Sequence, residues 1–133
     1  MERIIPWWLQ QRLQDRGDVV VLSESEHEFL HMDICGYGVC ASHGDLDTVK
    51  GAPRLLSTIF AKRFDKPVDY ILLADKHHRE EFEELGVSSI IVGSLCGTDD
   101  YANDKRLYST PEQLLLIFSK DCGADAVYHI RAQ

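Results

Sequence analysis

Asp69-Tyr70-Ile71-Leu72-Leu73-Ala74-Asp75-Lys76-His77-His78 is the stretch on which the fold turns. Its apolar run is short and continuous rather than alternating, the pattern of a strand in a sheet covered on both faces. The run stops at Ala74 and gives way to an acid, a lysine and two histidines. Earlier in the chain, Gly38-Val39-Cys40-Ala41-Ser42-His43-Gly44-Asp45 ends in the same manner. Ends of strands are where a rigid scaffold hands side chains to a metal or a substrate. Two such ends, both offering nitrogen or oxygen ligands, are the beginnings of a divalent-metal site.

The flanking segments predict a mixed α/β domain with sheets flanked by helices. Residues 5–16, inside an N-terminal segment 1–17, read as a helix: Pro6 suits a first turn, and Ile5, Trp8, Leu9 and Leu13 fall on one stripe. Trp7 lies off the centre of that stripe, so either the core face is wide or Trp7 meets a partner. Val19 to Leu22 reads as a short buried strand. Glu28–Cys35 and Val39–Ser42 form a hairpin around Gly36 and Gly38. Pro53 opens a helix that runs to about Phe64, with Leu56, Ile59, Phe60 and Phe64 on its apolar side. His78–Leu85 reads as a short helix closed by Gly86. Val87–Val92 is a strand, Gly93–Tyr108 a polar loop, and Leu114–Ser119 pairs with Ala126–Arg131 across Asp121–Asp125.

The 133 residues are expected to form a single domain, 1–133, with 44% hydrophobic and 27% charged residues as in ordinary soluble proteins. No stretch has the pattern of a signal peptide or the length of a membrane span, so the expected compartment is the cytoplasm. A net charge of −8 argues against sequence-independent nucleic-acid binding unless a bound cation recruits phosphate. Cys35, Cys40, Cys96 and Cys122 fit no disulfide framework and include no C-x-x-C. A zinc site of Cys35 and Cys40 with His31 or His43 is the weaker reading beside plain thiols.

From about Val19 onward the chain resembles the C-terminal half of the calcineurin-like metallophosphoesterases, in their phage and prophage form. Gly38–Asp45 resembles the strand that delivers a metal-binding His. Asp69–His77 falls where the family has an apolar strand followed by Gly-His-x-His. Ser89-Ile90-Ile91-Val92-Gly93-Ser94-Leu95 is similar to the next strand and its Gly-Ser turn. Cys96–Ala102 and Lys105–Ser109, with Pro111 and Gln113, resemble the tail of the phage members. The resemblance implies metal ligands at His43, Asp75 and His77, with Asp45 or Asp47 orienting His43 and His78 or His27 as proton donors. Mn, Zn or Ni is the implied cofactor and a phosphoester the implied substrate.

The departures are equally informative. The family's Asp-x-His, its bridging Gly-Asp and its Gly-Asn-His have no counterpart here, and Ala74-Asp75 replaces the Gly-His of Gly-His-x-His. A two-metal phosphoesterase holds cations about 3.5–4 Å apart around a bridging group. Two His and one Asp suffice for one ion at most. The expectation is therefore a truncated or degenerate phosphoesterase domain, active only if a homodimer or a second polypeptide completes the site. The alternative is a non-catalytic interaction or inhibitor module using the acidic Glu80–Glu84 and the loop Asp99–Asp104, although such charge runs are commonly solvated faces. His129, in an apolar strand, reads as structural, and Tyr101 and Arg106 are possible phosphate contacts.

Overall fold

The computed structural model describes residues 4–21, 29–98, 103–104 and 108–131, without the Phe64 side chain. In order these form α1 (Ile4–Leu13), β1 (Phe29–Ile34), β2 (Tyr37–Ser42), α2 (Ala52–Phe64) and β3 (Tyr70–Leu73), then β4 (Glu80–Glu84), β5 (Val87–Ile91), β6 (Glu112–Ser119) and β7 (Gly123–Arg131). A five-stranded mixed sheet runs β1-β2-β3-β5-β4, and β6 and β7 make a separate two-stranded sheet. Strands β2, β3 and β5 are parallel, while β1 and β4 pair antiparallel at the edges.

Strand pleat decides what each face meets. Cys40, Ile71 and Ser89 are in register across β2, β3 and β5, as are Ser42, Leu73 and Ile91. Cys40, Ile71, Leu73 and Ile91 share one core with Leu56 and Phe60 of α2. The opposite face carries Val39, Tyr70 and Ser88. There Tyr70 meets Phe118 of β6 edge-to-face at 5.0 Å and accepts a 2.9 Å hydrogen bond from the Ala124 N–H. The central strand is thus covered on both sides, by α2 and by the β6–β7 hairpin, as its unbroken apolar run predicts.

The β1–β2 hairpin turns on Cys35 and Gly36, both at positive φ (56° and 93°), which suits a two-residue turn between twisted strands. The Gly36 N–H donates to Asp33 at 3.0 Å. Helix α2 begins with Pro53 in its first turn and ends on Asp65, which adopts the left-handed conformation at φ 52°. The final hairpin pairs Ser119 with Gly123, so its strands are longer and its turn tighter than the sequence pattern predicts.

Three expectations are corrected. His78–Leu85 is not a helix: residues 80–84 form β4, joined to β5 through Leu85 (φ 55°) and Gly86 (φ 77°). Glutamates favour helices, but the positive-φ pair makes a hairpin turn and Phe82 packs against the core between exposed Glu81 and Glu83. Val19–Val21 is no strand; Val19 N–H bonds the Arg16 carbonyl in a turn, Val20 is 80% exposed, and Leu22 lies outside the described residues. The stripe of α1 faces no core, since none of its residues is buried.

Burial also sorts the thiols. Cys40 is fully buried against α2 and its thiol is pushed up to about 12 by burial, while Cys35, Cys96 and Cys122 are exposed. A disulfide-exchange reagent at pH 8 is expected to titrate the three exposed thiols of the native protein at once, and Cys40 only as the fold opens. Rapid reaction of all four would contradict the placement of β2 under α2.

Candidate functional site

Parallel pairing brings the carboxyl ends of β2, β3 and β5 to one rim, where open α/β sheets present ligands. Ser42 is opposite Leu73, and the ladder continues past both strands because the Ala74 N–H donates to the His43 carbonyl at 3.0 Å. Gly44, at φ 91°, lets the chain after β2 pass against this end, since a Cβ there would stand 3.1 Å from the Leu73 Cβ. The result places His43 Nε2 3.4 Å from Asp75 Oδ1, an ion-pair distance when the imidazole is protonated.

Beyond Ala74 the backbone is irregular. Asp75 and His77 both take positive φ, 63° and 56°, with the Lys76 N–H bonded back to the Ala74 carbonyl at 2.7 Å. Residues held in this region store on the order of 1–3 kcal/mol each, a cost that clusters at functional sites. Lys76 folds over the rim: its Nζ donates to the Asp45 carbonyl at 3.1 Å and lies 3.7 Å from Asp75 Oδ2. Asp45 therefore engages through its main chain. Asp47 is partly buried beside it, and burial first, then the Asp45 charge, hold its carboxyl above the ordinary carboxylate range against the opposing pull of Lys76.

Of the residues singled out by sequence, His43 and Asp75 are brought together. His77 points elsewhere, lining a cleft of about 260 Å³ between the β3–β4 connection and the start of β6. His78 lines it too: on regular backbone neighbouring side chains point to different sides, and the positive φ at His77 breaks that regularity. Among the described residues no three His, Cys, Asp or Glu side chains are placed to hold a metal ion, and buried Cys40 faces the α2 core rather than a zinc site with Cys35. His129 lies beside Arg79, whose Nη1 is 2.7 Å from its Nδ1. His27, Asp99, Asp100, Tyr101 and Arg106 lie outside the described residues.

Sequence reasoning missed Lys76, which competes for Asp75, and the cleft residues Arg79, Ser109, Thr110 and Arg131. The run Lys76-His77-His78-Arg79 was the available signal: four consecutive nitrogen side chains after a strand end.

No protein-family model matches the chain, and no curated protein matches its sequence. Solved structures do match. A single-mutant Vps29 from Entamoeba histolytica superposes with a TM-score of 0.52 at 17% identity, over 86% of this chain and 67% of that one. Wild-type Vps29 of the same organism, complexed with Zn²⁺, gives 0.50 at 17% identity, over 86% and 66%. A conserved uncharacterized protein from Streptococcus pneumoniae, a predicted phosphoesterase, gives 0.45 at 10% identity over 97% and 90%, too distant to add to the assignment. The chain spans about two thirds of the length of these Vps29 proteins. The mixed α/β architecture is thus similar to that of Vps29, and the chain has a calcineurin-like metallophosphoesterase fold.

Proposed function

We propose that this chain is a metallophosphoesterase-like domain with a degenerate metal site, unable to hydrolyse phosphoesters by itself. The observation that carries this reading is the His43–Asp75 pair, placed at the rim of the parallel strands but tied to Lys76 and without a third ligand among the described residues. These residues do not fit a dinuclear centre. Two closely spaced dications need a bridging carboxylate and a surplus of anionic ligands, whereas this rim carries an ammonium group instead. A single ion, such as the zinc of the Entamoeba histolytica Vps29, requires His43 and Asp75 as ligands, with His77 the remaining candidate and Asp45 or Asp47 behind His43. It must also displace Lys76 from Asp75, so weak binding is expected. A second copy of the chain or another polypeptide is what would complete the site.

A non-catalytic interaction module is the second reading, favoured by exposed apolar side chains at two places. Trp7 and Trp8 are 59% and 51% exposed on α1. On β6–β7, Leu115 is opposite Tyr128 and Gln113 opposite Ile130, so Leu115, Ile117, Tyr128 and Ile130 share one outward face.

The test is Mn²⁺-dependent hydrolysis of bis(p-nitrophenyl) phosphate by wild type and His43→Ala, on protein whose mass in solution is fixed by light scattering. A monomer with no turnover above the metal blank is the expected result. Turnover that vanishes in His43→Ala overturns the degenerate-site reading and means that a working centre is assembled. An inactive dimer supports the interaction module.

A further inference from the structure

We propose that the cleft beside β3 is a metal-free binding site for a phosphate group, either free phosphate or a small phosphate monoester. The cleft is built by three separate parts of the chain. His77 and Arg79 come from the β3–β4 connection, Ser109 and Thr110 from the segment leading into β6, and Arg131 from the end of β7.

Across a chain of net charge −8, two guanidinium groups converge on one small volume, with Glu112 as the opposing carboxylate. Glu112 is only 9% exposed, sits opposite Arg131 in the strand register, and crowds Gly93, where a Cβ would stand 2.7 Å from its Cγ. Arg131 is the cation opposite this acid in the register, and Arg79 is a second one on the other side of the cleft. Among the described residues no carboxylate lies within ion-pair distance of Arg79; its guanidinium rests instead against His129 on β7, 2.7 Å from Nδ1. A guanidinium held without a carboxylate partner is suited to an anionic ligand, and phosphate takes it in bidentate fashion.

His77 Nδ1 and Ser109 Oγ are both buried and lack a hydrogen-bond partner among the described residues, and both residues line this cleft. Buried polar atoms normally have partners, and each orphan costs roughly 1–3 kcal/mol. Both atoms are closed to solvent in this structure, so a ligand oxygen reaches them only when the cleft wall shifts; a phosphate's several oxygens would then accept from the Ser hydroxyl and an imidazole N–H.

The cleft is also small, with one wall held in place. The wall carrying Ser109 is fixed to the loop after β5: Thr98 Oγ1 donates to the Ser109 carbonyl at 3.1 Å and accepts from the Ser109 N–H at 3.0 Å. Further along, the Glu112 N–H donates to the Ser94 carbonyl at 3.1 Å. The volume of about 260 Å³ is below the ~300–1,000 Å³ of pockets for drug-sized ligands, which favours a small anion.

This inference does not rest on the metal reading, and EDTA separates the two. Amide chemical-shift titrations of the full chain in EDTA, at constant ionic strength, would use inorganic phosphate, phenyl phosphate and acetate. Saturable shifts centred on residues 77–79 and 108–112, with phosphate above acetate, are the expected result. Preference for phenyl phosphate over inorganic phosphate identifies a monoester site, and the reverse identifies free phosphate. Arg79→Gln and Arg131→Gln, each checked by circular dichroism to be folded, should weaken binding by about tenfold or more. Equal, non-saturating shifts from all three anions, unchanged binding in a folded Arg79→Gln, or binding that appears only after Mn²⁺ is added would each overturn the proposal.

Discussion

Gly38→Ala is expected to lower the melting temperature by about 10 °C or more, or to prevent folding, the largest effect expected of any glycine-to-alanine change in this chain. The cause is a backbone approach rather than an unusual dihedral angle. A Cβ on Gly38 would fall inside the contact radius of the Pro67 carbonyl oxygen and 3.0 Å from its carbonyl carbon. Neither atom belongs to a side chain that can swing away. The same site holds a two-way clamp. The Gly38 N–H donates to Asp69 Oδ2 at 2.7 Å, and the Asp69 N–H donates to the Gly38 carbonyl at 2.8 Å. Pushing the strands apart breaks both bonds at the start of the β2–β3 ladder. Gly36→Ala is the control, because Gly36 has nothing within 4 Å of a Cβ but sits at φ 93°. That variant is expected to lose only about 1–2 kcal/mol to backbone strain. Thermal unfolding followed by far-ultraviolet circular dichroism ranks the two. A Gly38→Ala protein as stable as Gly36→Ala would mean that β2 does not run against Pro67 as described.

Phe60→Ala is expected to cost about 3–5 kcal/mol. Phe60 is fully buried at the centre of the α2–sheet core, with its ring edge-on to Phe29 at 5.1 Å and 86°. Truncation loses the transfer free energy of the ring and leaves a cavity that α2 cannot close. Pro53 at one end of the helix and the Asp65 cap at the other fix its ends, and the Arg54–Glu84 ion pair ties it to β4. Leu55, on the same helix, is 57% exposed, and Leu55→Ala should stay within roughly 0.5 kcal/mol of wild type. Urea unfolding of both variants checks the pair. A Phe60→Ala loss no larger than that of Leu55→Ala would place α2 off the sheet.

The fold was legible wherever apolar runs were bounded by glycine or by abrupt polarity. The pairs β1–β2 and β6–β7, helix α2 and the central β3 all carry that punctuation. Legibility failed where local preference and tertiary context disagree. Glu80-Glu81-Phe82-Glu83-Glu84 has helix-favouring residues, yet one aromatic side chain on the core face and a positive-φ turn are enough to make it an edge strand, with exposed glutamates that discourage further pairing. Val19–Val21 has strand-favouring residues and no strand beside it among the described residues.

For the candidate site, the meeting of His43 with Asp75 follows from two strands ending at the same rim, which their similar sequence endings foretold. Lys76 stands in the decisive stretch as part of a run of nitrogen side chains, but whether a long side chain folds onto its neighbour is decided in three dimensions. Of the cleft, the run Lys76-His77-His78-Arg79 marked one wall and nothing marked the other. Arg79 and Arg131 are distant in sequence, and only the return of β7 beside β6 brings them together.

One feature of α1 governs how any of these stabilities can be observed. Trp7 and Trp8 are the chain's two tryptophans, and both are more than half exposed on a helix with no buried residue. Their emission in the folded protein is expected to be close to that of solvated indole, so unfolding of the sheet should change it little. A flat tryptophan fluorescence curve would be the signature of a silent reporter and not of a molten core. Tyr37 and Tyr70, packed edge-on or tilted against each other and Phe118 between the two sheets, are the chromophores whose surroundings vanish when the fold does.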